Sequence, residues 1–277
     1  MNQQELESLQ RVQLTIMDEI HKLCVNNNLR YYLIGGSALG AIRHKGFIPW
    51  DVDIDIAMPR PDYELFITQY CKQINPRFSV IDYRDEKNYY PPHALVILNN
   101  SVLVQEINEL NPQMPNHGIY VDVLPLDIAP NNPQQRSSQE RDLIRIRNLK
   151  EKKVSFIYPK DTKHGIFLKK IRRFLFRPIS MTRLNKKQQE IMMRYDSLVE
   201  NDNTIWCSMA SHYKYEKLCM NKSVFGEPLL VDFAERQYYV PRKVDEYLTR
   251  LFGDYMRFPP EKEQLRLRNL FKYAKWE

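Results

Sequence analysis

The sequence predicts an α+β fold, a mixed sheet with flanking helices followed by a mainly helical second part. Three observations carry this reading. Apolar residues recur at helical spacing near the N-terminus, acidic and apolar residues alternate over 51–58, and the chain turns helical and strongly charged after Pro130. At 277 residues, 43% of them hydrophobic, the chain can bury a sizeable core. The change of character near 130 divides it into residues 1–130, the sheet-bearing core, and 131–277, a helical, basic region packed on that core.

The elements follow in order. Leu6, Leu9, Val12, Ile16, Ile20 and Leu23 mark an amphipathic helix over 4–26, closed by Asn26-Asn27-Asn28. Residues 31–34 form a short apolar strand. Gly35-Gly36-Ser37 comes next, and 38–43 reads as a short helix with Ser37 as N-cap. Lys45-Gly46 turns the chain into a strand at 51–58, and Pro61 opens a helix that continues to 74. Further strands are expected at 78–83, 94–98 and 102–106, with another at 118–124 that ends at Pro125. Beyond 130, helices are expected at 134–156, 166–176, 186–199 and 244–252, the last within a mixed C-terminal part.

Composition narrows the partners. A formal charge of +7 suits an anionic partner, whether nucleotide, phosphorylated glycan, membrane surface or nucleic acid, and does not choose among them. The four cysteines form no C-x-x-C pair and have no histidine cluster beside them, which argues against zinc or a disulfide framework. Reduced thiols point to a cytoplasmic setting. The first 28 residues lack the apolar stretch of a signal peptide, and no apolar run approaches the roughly 20 residues of a membrane span.

The chemistry concentrates in Asp51-Val52-Asp53-Ile54-Asp55-Ile56. Strand alternation sends the three acids to one face and the apolar residues to the core. Carboxylates gathered on one face repel one another, and a hard divalent cation relieves that repulsion. Magnesium takes one or two carboxylates plus substrate phosphates; calcium would need a loop spacing that is absent. Gly35-Gly36-Ser37, between a strand and a helix start, lets the backbone approach an anion closely. Asp122 interrupts the apolar run Tyr120 to Leu124, so it either reaches the same metal as Asp53 and Asp55 or pairs with a nearby Arg or Lys. Asp127, beyond Pro125, reads as a turn or cap residue. Trp50 reads as a packing residue, and His93 and His117 as structural residues near strand ends.

Together Gly35-Gly36-Ser37, Asp53-Ile54-Asp55 and Asp122 resemble the nucleotidyltransferase superfamily. More narrowly, IGGSALGAIRHKGFIPWDVDIDIAMP at 34–59 resembles the LicD family, which includes bacterial phosphocholine transferases and is related to fukutin and fukutin-related protein. GIYVDVLPLD at 118–127 is similar to its second motif, and YLTRLFGDYMRFPP at 247–260 to its C-terminal signature. Many members carry an acid where this chain has Val52. That position lies on the core face, so no ligand is lost.

The resemblance implies a nucleotidyltransferase-like sheet and a transferase that moves a phospho-alcohol, phosphocholine first, from a CDP-activated donor to a hydroxyl of a cell-surface glycan such as lipopolysaccharide, capsule or teichoic acid. CMP is the expected leaving group. CDP-choline is the leading donor, with CDP-ribitol and CDP-glycerol serving the same chemistry. Asp53, Asp55 and Asp122 are the expected catalytic and metal-ligating residues, holding one or two Mg2+ ions, with Mn2+ as a substitute. Gly35, Gly36 and Ser37 would hold phosphate oxygens, and Arg43 and Lys45 could reach the donor. His44 is left open, and Asp51 stands as a third ligand or a supporting residue.

Between Lys160 and Lys187 lie ten Lys or Arg and one acid, interleaved with apolar residues at helical spacing. Such a helix suits either a packed position with a solvated basic face or peripheral contact with the inner face of an anionic membrane, where a lipid-linked glycan acceptor would be met. Two rivals remain at this point. One is a nucleotidyltransferase that attaches NMP from an NTP to a small molecule or protein. The other is a non-catalytic nucleic-acid or membrane binder, against which the acidic triad argues because it would repel phosphates, so no nucleic acid is expected.

Overall fold

The computed structural model describes residues 2–261, 264 and 271–276. Helix α1 (Gln3–Asn26) starts at Asn2, whose side chain accepts from the Glu5 backbone N–H while the Glu5 carboxylate accepts from the Asn2 N–H. This reciprocal cap satisfies two of the donors that a helix start leaves open. Leu6, Leu9, Ile16, Met17, Ile20 and Leu23 turn one face of α1 into the core. After β1 (Tyr32–Leu33) come α2 (Gly35–His44), β2 (Asp55–Pro59), α3 (Arg60–Thr68), β3 (Phe78–Ile81), β4 (Ala94–Leu98), β5 (Ser101–Gln105), α4 (Glu106–Leu110) and β6 (Tyr120–Ala129).

The main sheet runs β1-β2-β6-β4-β3. Only the central pair, β2 and β6, is parallel; its register sets Asp55 opposite Asp122 and Pro59 opposite Leu126. Strand β2 is shorter than expected. Its ladder begins at Asp55, although the burial of 51–56 still alternates as strand periodicity requires. Strand β6 is longer than expected and passes through Pro125. On one side β4 pairs with residues 120–123 and β7 (Ile205–Cys207) with 127–129, so Pro125, which has no N–H to give, lies where one partner hands over to the next. Asp127 is therefore a buried strand residue, not a turn or cap. Strand β5 stands outside the main sheet and pairs with β11 (Phe271–Trp276).

Helices α5 (Pro133–Val154), α6 (Lys163–Leu175) and α7 (Met181–Met192) match the helical stretch beyond 130, α7 lying earlier than expected because Ser180 caps it. The chain then returns to strands. After β7 and α8 (Tyr215–Leu218), β8 (Cys219–Asn221) pairs with β7 and extends the main sheet. Short helix α9 (Lys222–Phe225) precedes the hairpin of β9 (Leu229–Phe233) and β10 (Arg236–Val240), and α10 (Val244–Phe252) follows. Ala234 and Glu235 turn that hairpin at positive φ, a two-residue loop whose usual Asn-Gly signal is missing. Among the described residues, no helix is long and apolar enough to cross a membrane.

Candidate active site

Asp51, Val52, Asp53 and Ile54 form the extended lead-in to β2, and the core takes Val52 and Ile54. Their burial turns Asp51, Asp53 and Asp55 toward a cavity of about 990 Å3 that all three line. Burial holds the Asp51 carboxyl above the usual carboxylate range, with Asp53 beside it. Carboxylates gathered in this way favour a shared proton or a cation. Burial, then the charges of Asp51, Asp55 and Asp122, holds the Asp53 carboxyl well above the usual carboxylate range. Burial, then Asp122 and Asp51, does the same for Asp55. Among the described residues no Lys or Arg forms an ion pair with Asp51, Asp53 or Asp55.

Gly36 sits where an acid needs room, and Gly35 where the backbone needs a positive φ. Gly35 has φ +53, its N–H donates to the Tyr247 hydroxyl at 3.0 Å, and a Cβ there would lie 3.6 Å from an Asp55 carboxylate oxygen. A Cβ on Gly36 would lie 2.6 Å from Asp51 Oδ2, closer than side chains tolerate. Ser37 is not the N-cap of α2. Ile34 holds that position with no side-chain cap, and the helix begins at Gly35. The buried Ser37 hydroxyl instead accepts from the Asp55 N–H at 2.9 Å and ties the helix start to β2. The N-terminus of α2 thus lies against the carboxylates, and its partial positive charge suits either them or a phosphate beside them.

Asp122 stands across the parallel pair from Asp55. It bonds His93 Nε2 at 2.6 Å, both side chains being 14% exposed. His93, read from the sequence as structural, is thus joined to a candidate catalytic acid. The signal for it is long-range: His93 precedes β4, the strand that pairs with β6. Tyr213 was also illegible from sequence. Burial, then Asp55, Asp51 and Asp53, pushes its phenol up, and it lines the carboxylate cavity.

Arg43 lines this cavity too, but its guanidinium donates to the Tyr255 carbonyl at 2.7 Å and stacks over Phe258. The His44 ring packs edge-on against Trp50 and Phe258. Lys45 stands apart from the acids: it is exposed, closes α2 at φ +56, does not line the cavity, and its carbonyl accepts from Ala234.

Asp53, Asp55 and Asp122 are brought together electrostatically. Among the described residues, however, no three His, Cys, Asp or Glu side chains are set so that they could hold a metal ion by themselves. The donor set nevertheless fits a hard divalent cation, being carboxylate oxygens with no cationic side chain to balance them, and magnesium completes its shell with substrate phosphates and water. A second cavity, of about 860 Å3, lies on the Asp122 side and is lined by His93 and Asp122; Tyr120 and Gln105 line both cavities.

Comparison with known proteins accords with this arrangement. Residues 28–94 match the LicD/FKTN/FKRP nucleotidyltransferase domain, which spans Gly35 to Ser37 and Asp51 to Asp55. The chain is 28% identical over 261 residues to the lipopolysaccharide cholinephosphotransferase LicD of Haemophilus influenzae, covering 94% of each protein. It is 38% identical over 73 residues to an uncharacterized protein of Rickettsia typhi, 26% of this chain and 22% of that one. The resemblance to the LicD family read from the motifs thus extends over nearly the whole chain.

Proposed function

We propose that this chain is a transferase that moves phosphocholine from CDP-choline to a hydroxyl of a cell-surface glycan and releases CMP. One observation carries the reading: the near full-length likeness to a lipopolysaccharide cholinephosphotransferase, whose matched segment supplies the unbalanced carboxylates Asp53 and Asp55. CDP-ribitol and CDP-glycerol are the alternative donors.

In this reading the donor diphosphate lies in the 990 Å3 cavity, against the start of α2. Asp53 and Asp55 would hold Mg2+, or Mn2+ in its place, and Asp122 would complete the set. The cation supplies charge neutralisation for the diphosphate and the leaving CMP. Asp122 receives the proton of the attacking hydroxyl, and His93 fixes the orientation of its carboxylate. The acceptor oxygen forms a bond to the phosphorus that carries choline, and the bond from that phosphorus to the bridging oxygen breaks. CMP departs with the electron pair, leaving a phosphodiester on the glycan. Gly36 keeps space for Asp51, Gly35 supplies the positive φ at the start of α2, and Arg43 offers one cation at the cavity wall.

Helix α6 suits work beside a membrane. None of its residues is buried, and Phe167, Phe174 and Leu175 are 60%, 72% and 66% exposed among its lysines and arginines. That pattern supports the reading of peripheral contact with an anionic membrane. Salt-sensitive binding to anionic liposomes, lost when the exposed Lys163 and Lys170 become Glu and Phe167 becomes Ser, is the expected result; no binding at low salt overturns this contact.

The test of function is to mix purified protein, Mg2+ and a panel of CDP-alcohols, with and without candidate glycans, and to measure CMP. Metal-dependent CMP release, greatest with CDP-choline, is expected. Pyrophosphate release from an NTP would instead favour attachment of NMP, and transfer without metal would overturn the mechanism.

A further inference from the structure

The second cavity is built differently from the first. Beyond the shared Tyr120 and Gln105, its floor is His93 and Asp122 rather than the acids of β2. Its walls are largely apolar, with Leu95, Leu103, Met114, Phe156 and Met181 among them. The end of α5, helix α6 and the turn after it supply Lys153, Lys170, Arg173 and Arg177, and Asp122 is the sole acid among the lining residues. These cations are not equivalent. Arg173 is committed to the fold, donating to the carbonyls of Val154 and Ser155 and to Asn111. Lys170 and Arg177 are exposed and form no ion pair among the described residues. Phe174, 72% exposed, lies between them in sequence and lines the same cavity. An apolar chamber rimmed by unpaired cations favours a ligand that carries both an anion and apolar surface. With the donor against Asp53 and Asp55, a hydroxyl in this chamber meets the activated phosphorus from the Asp122 side.

We infer that this cavity is the acceptor subsite, and that it takes an anionic, lipid-anchored saccharide whose charged group pairs with Lys170 and Arg177 while its hydroxyl reaches Asp122 and His93. The assignment rests on the transferase reading above for the saccharide and its hydroxyl's fate, while the anionic and apolar character of the ligand stands on the cavity itself. It separates the two substrates by charge. The donor site is acidic and needs a cation to accept a diphosphate, whereas the acceptor site is basic and accepts an anion directly.

Binding is measured by calorimetry without donor, with dodecyl phosphate, dodecyl maltoside and inorganic phosphate as probes below micelle-forming concentrations. Dodecyl phosphate should bind at least tenfold more tightly than either of the others. Lys170→Gln with Arg177→Gln should weaken it at least tenfold, and Phe174→Ser severalfold; these residues are exposed, so folding is kept. Asn88→Trp, an exposed lining residue outside α6, fills space in the cavity and should weaken it comparably. If only the substitutions at Lys170, Phe174 and Arg177 matter, the amphiphile lies on the surface of α6 and the turn after it, and the inference is overturned. Equal affinity for dodecyl maltoside, or for inorganic phosphate, also overturns it. In turnover, the double Gln variant should raise KM for a phosphorylated glycolipid at least tenfold, leave KM for the CDP-alcohol unchanged, and have no effect on the dephosphorylated acceptor. Failure of every CDP-alcohol to yield CMP would sink the transferase reading while leaving the binding result to decide the cavity's ligand.

Discussion

The two ends of the parallel β2–β6 pair handle buried acid in opposite ways. At one end Asp55 faces Asp122 with Asp53 and Asp51 alongside, and no Lys or Arg among the described residues pairs with Asp51, Asp53 or Asp55. At the other end Asp127 is fully buried and bonds Arg60 at 2.5 Å, while Arg60 also reaches Glu64 and Gln189. Burial opposes the charge on Arg60, and Asp127 with its hydrogen bond more than restores it. An acid with a built-in guanidinium has its partner within the fold and serves stability. Acids left without one hold repulsion in the fold, which in the proposed mechanism a cation brought in with substrate relieves. Both ends share the same strands, so the difference lies in the neighbouring side chains alone.

Substitution should separate the two ends sharply. Asp53→Asn or Asp55→Asn should lower CMP release on the order of a thousandfold. The same variants should melt at or above the wild-type temperature, because repulsion is relieved; a large fall in Tm would mean that the acids are structural. Asp127→Asn should do the reverse. Among the described residues, Arg60 then keeps as acidic partners only the part-exposed Glu64 and the more distant Asp196, which costs about 1–3 kcal/mol of stability by denaturant unfolding, with activity per folded molecule preserved.

Gly36→Ala probes the close approach at the acidic end. The added Cβ would sit 2.6 Å from Asp51 Oδ2, so Asp51 must move. A shift of about 1 Å near reacting groups can cost about a hundredfold, and a loss of about 10- to 100-fold in kcat is expected with little change in Tm.

Asp196 gives a pH test of the other end. Burial, then Asp127, pushes its carboxyl up to about 7, although its Oδ2 lies 3.9 Å from Arg60 Nε. A carboxyl raised on folding is held protonated by the folded state where the unfolded chain has lost its proton. Its contribution to stability is therefore fullest below about pH 4 and is lost as pH rises to about 7. Asp196→Asn keeps an oxygen for the Ile128 N–H, which Asp196 Oδ1 now accepts at 2.8 Å. The variant should match wild type near pH 4.5 and exceed it by about 1–2 kcal/mol at pH 8. An advantage independent of pH would contradict this. The smallest effect belongs to Lys45→Ala, which should change kcat and KM for the donor less than about twofold; a large rise in donor KM would bring Lys45 back to the phosphates.

The acidic end was legible in the sequence because alternation is local: period two alone sends Asp51, Asp53 and Asp55 to one face, and the apolar flanks say which face is buried. Asp122 was legible for the same reason, as an acid inside an apolar strand. The Arg60 end was not. Pro125 reads as a strand terminator, and its tolerance depends on β4 leaving β6 just before β7 arrives, a fact of tertiary pairing. His93 was missed because its contact with Asp122 needs the β4–β6 register, and Tyr213 because more than a hundred and fifty residues separate it from Asp55. Ser37 was placed as a cap by residue type, although its hydroxyl goes to the next strand. The β9–β10 hairpin escaped because Ala234-Glu235 turns without asparagine or glycine.

The most direct measurement is a Mn2+ titration followed by electron paramagnetic resonance, with CDP-choline present, on the wild-type chain and on the Asp53→Asn/Asp55→Asn double variant. The account expects the wild type to take up Mn2+ stoichiometrically and the double variant, still folded, to lose that uptake together with CMP release. Undiminished Mn2+ uptake by the double variant, or CMP release that persists in excess chelator, would contradict the claim that the unpaired acids of β2 await a cation.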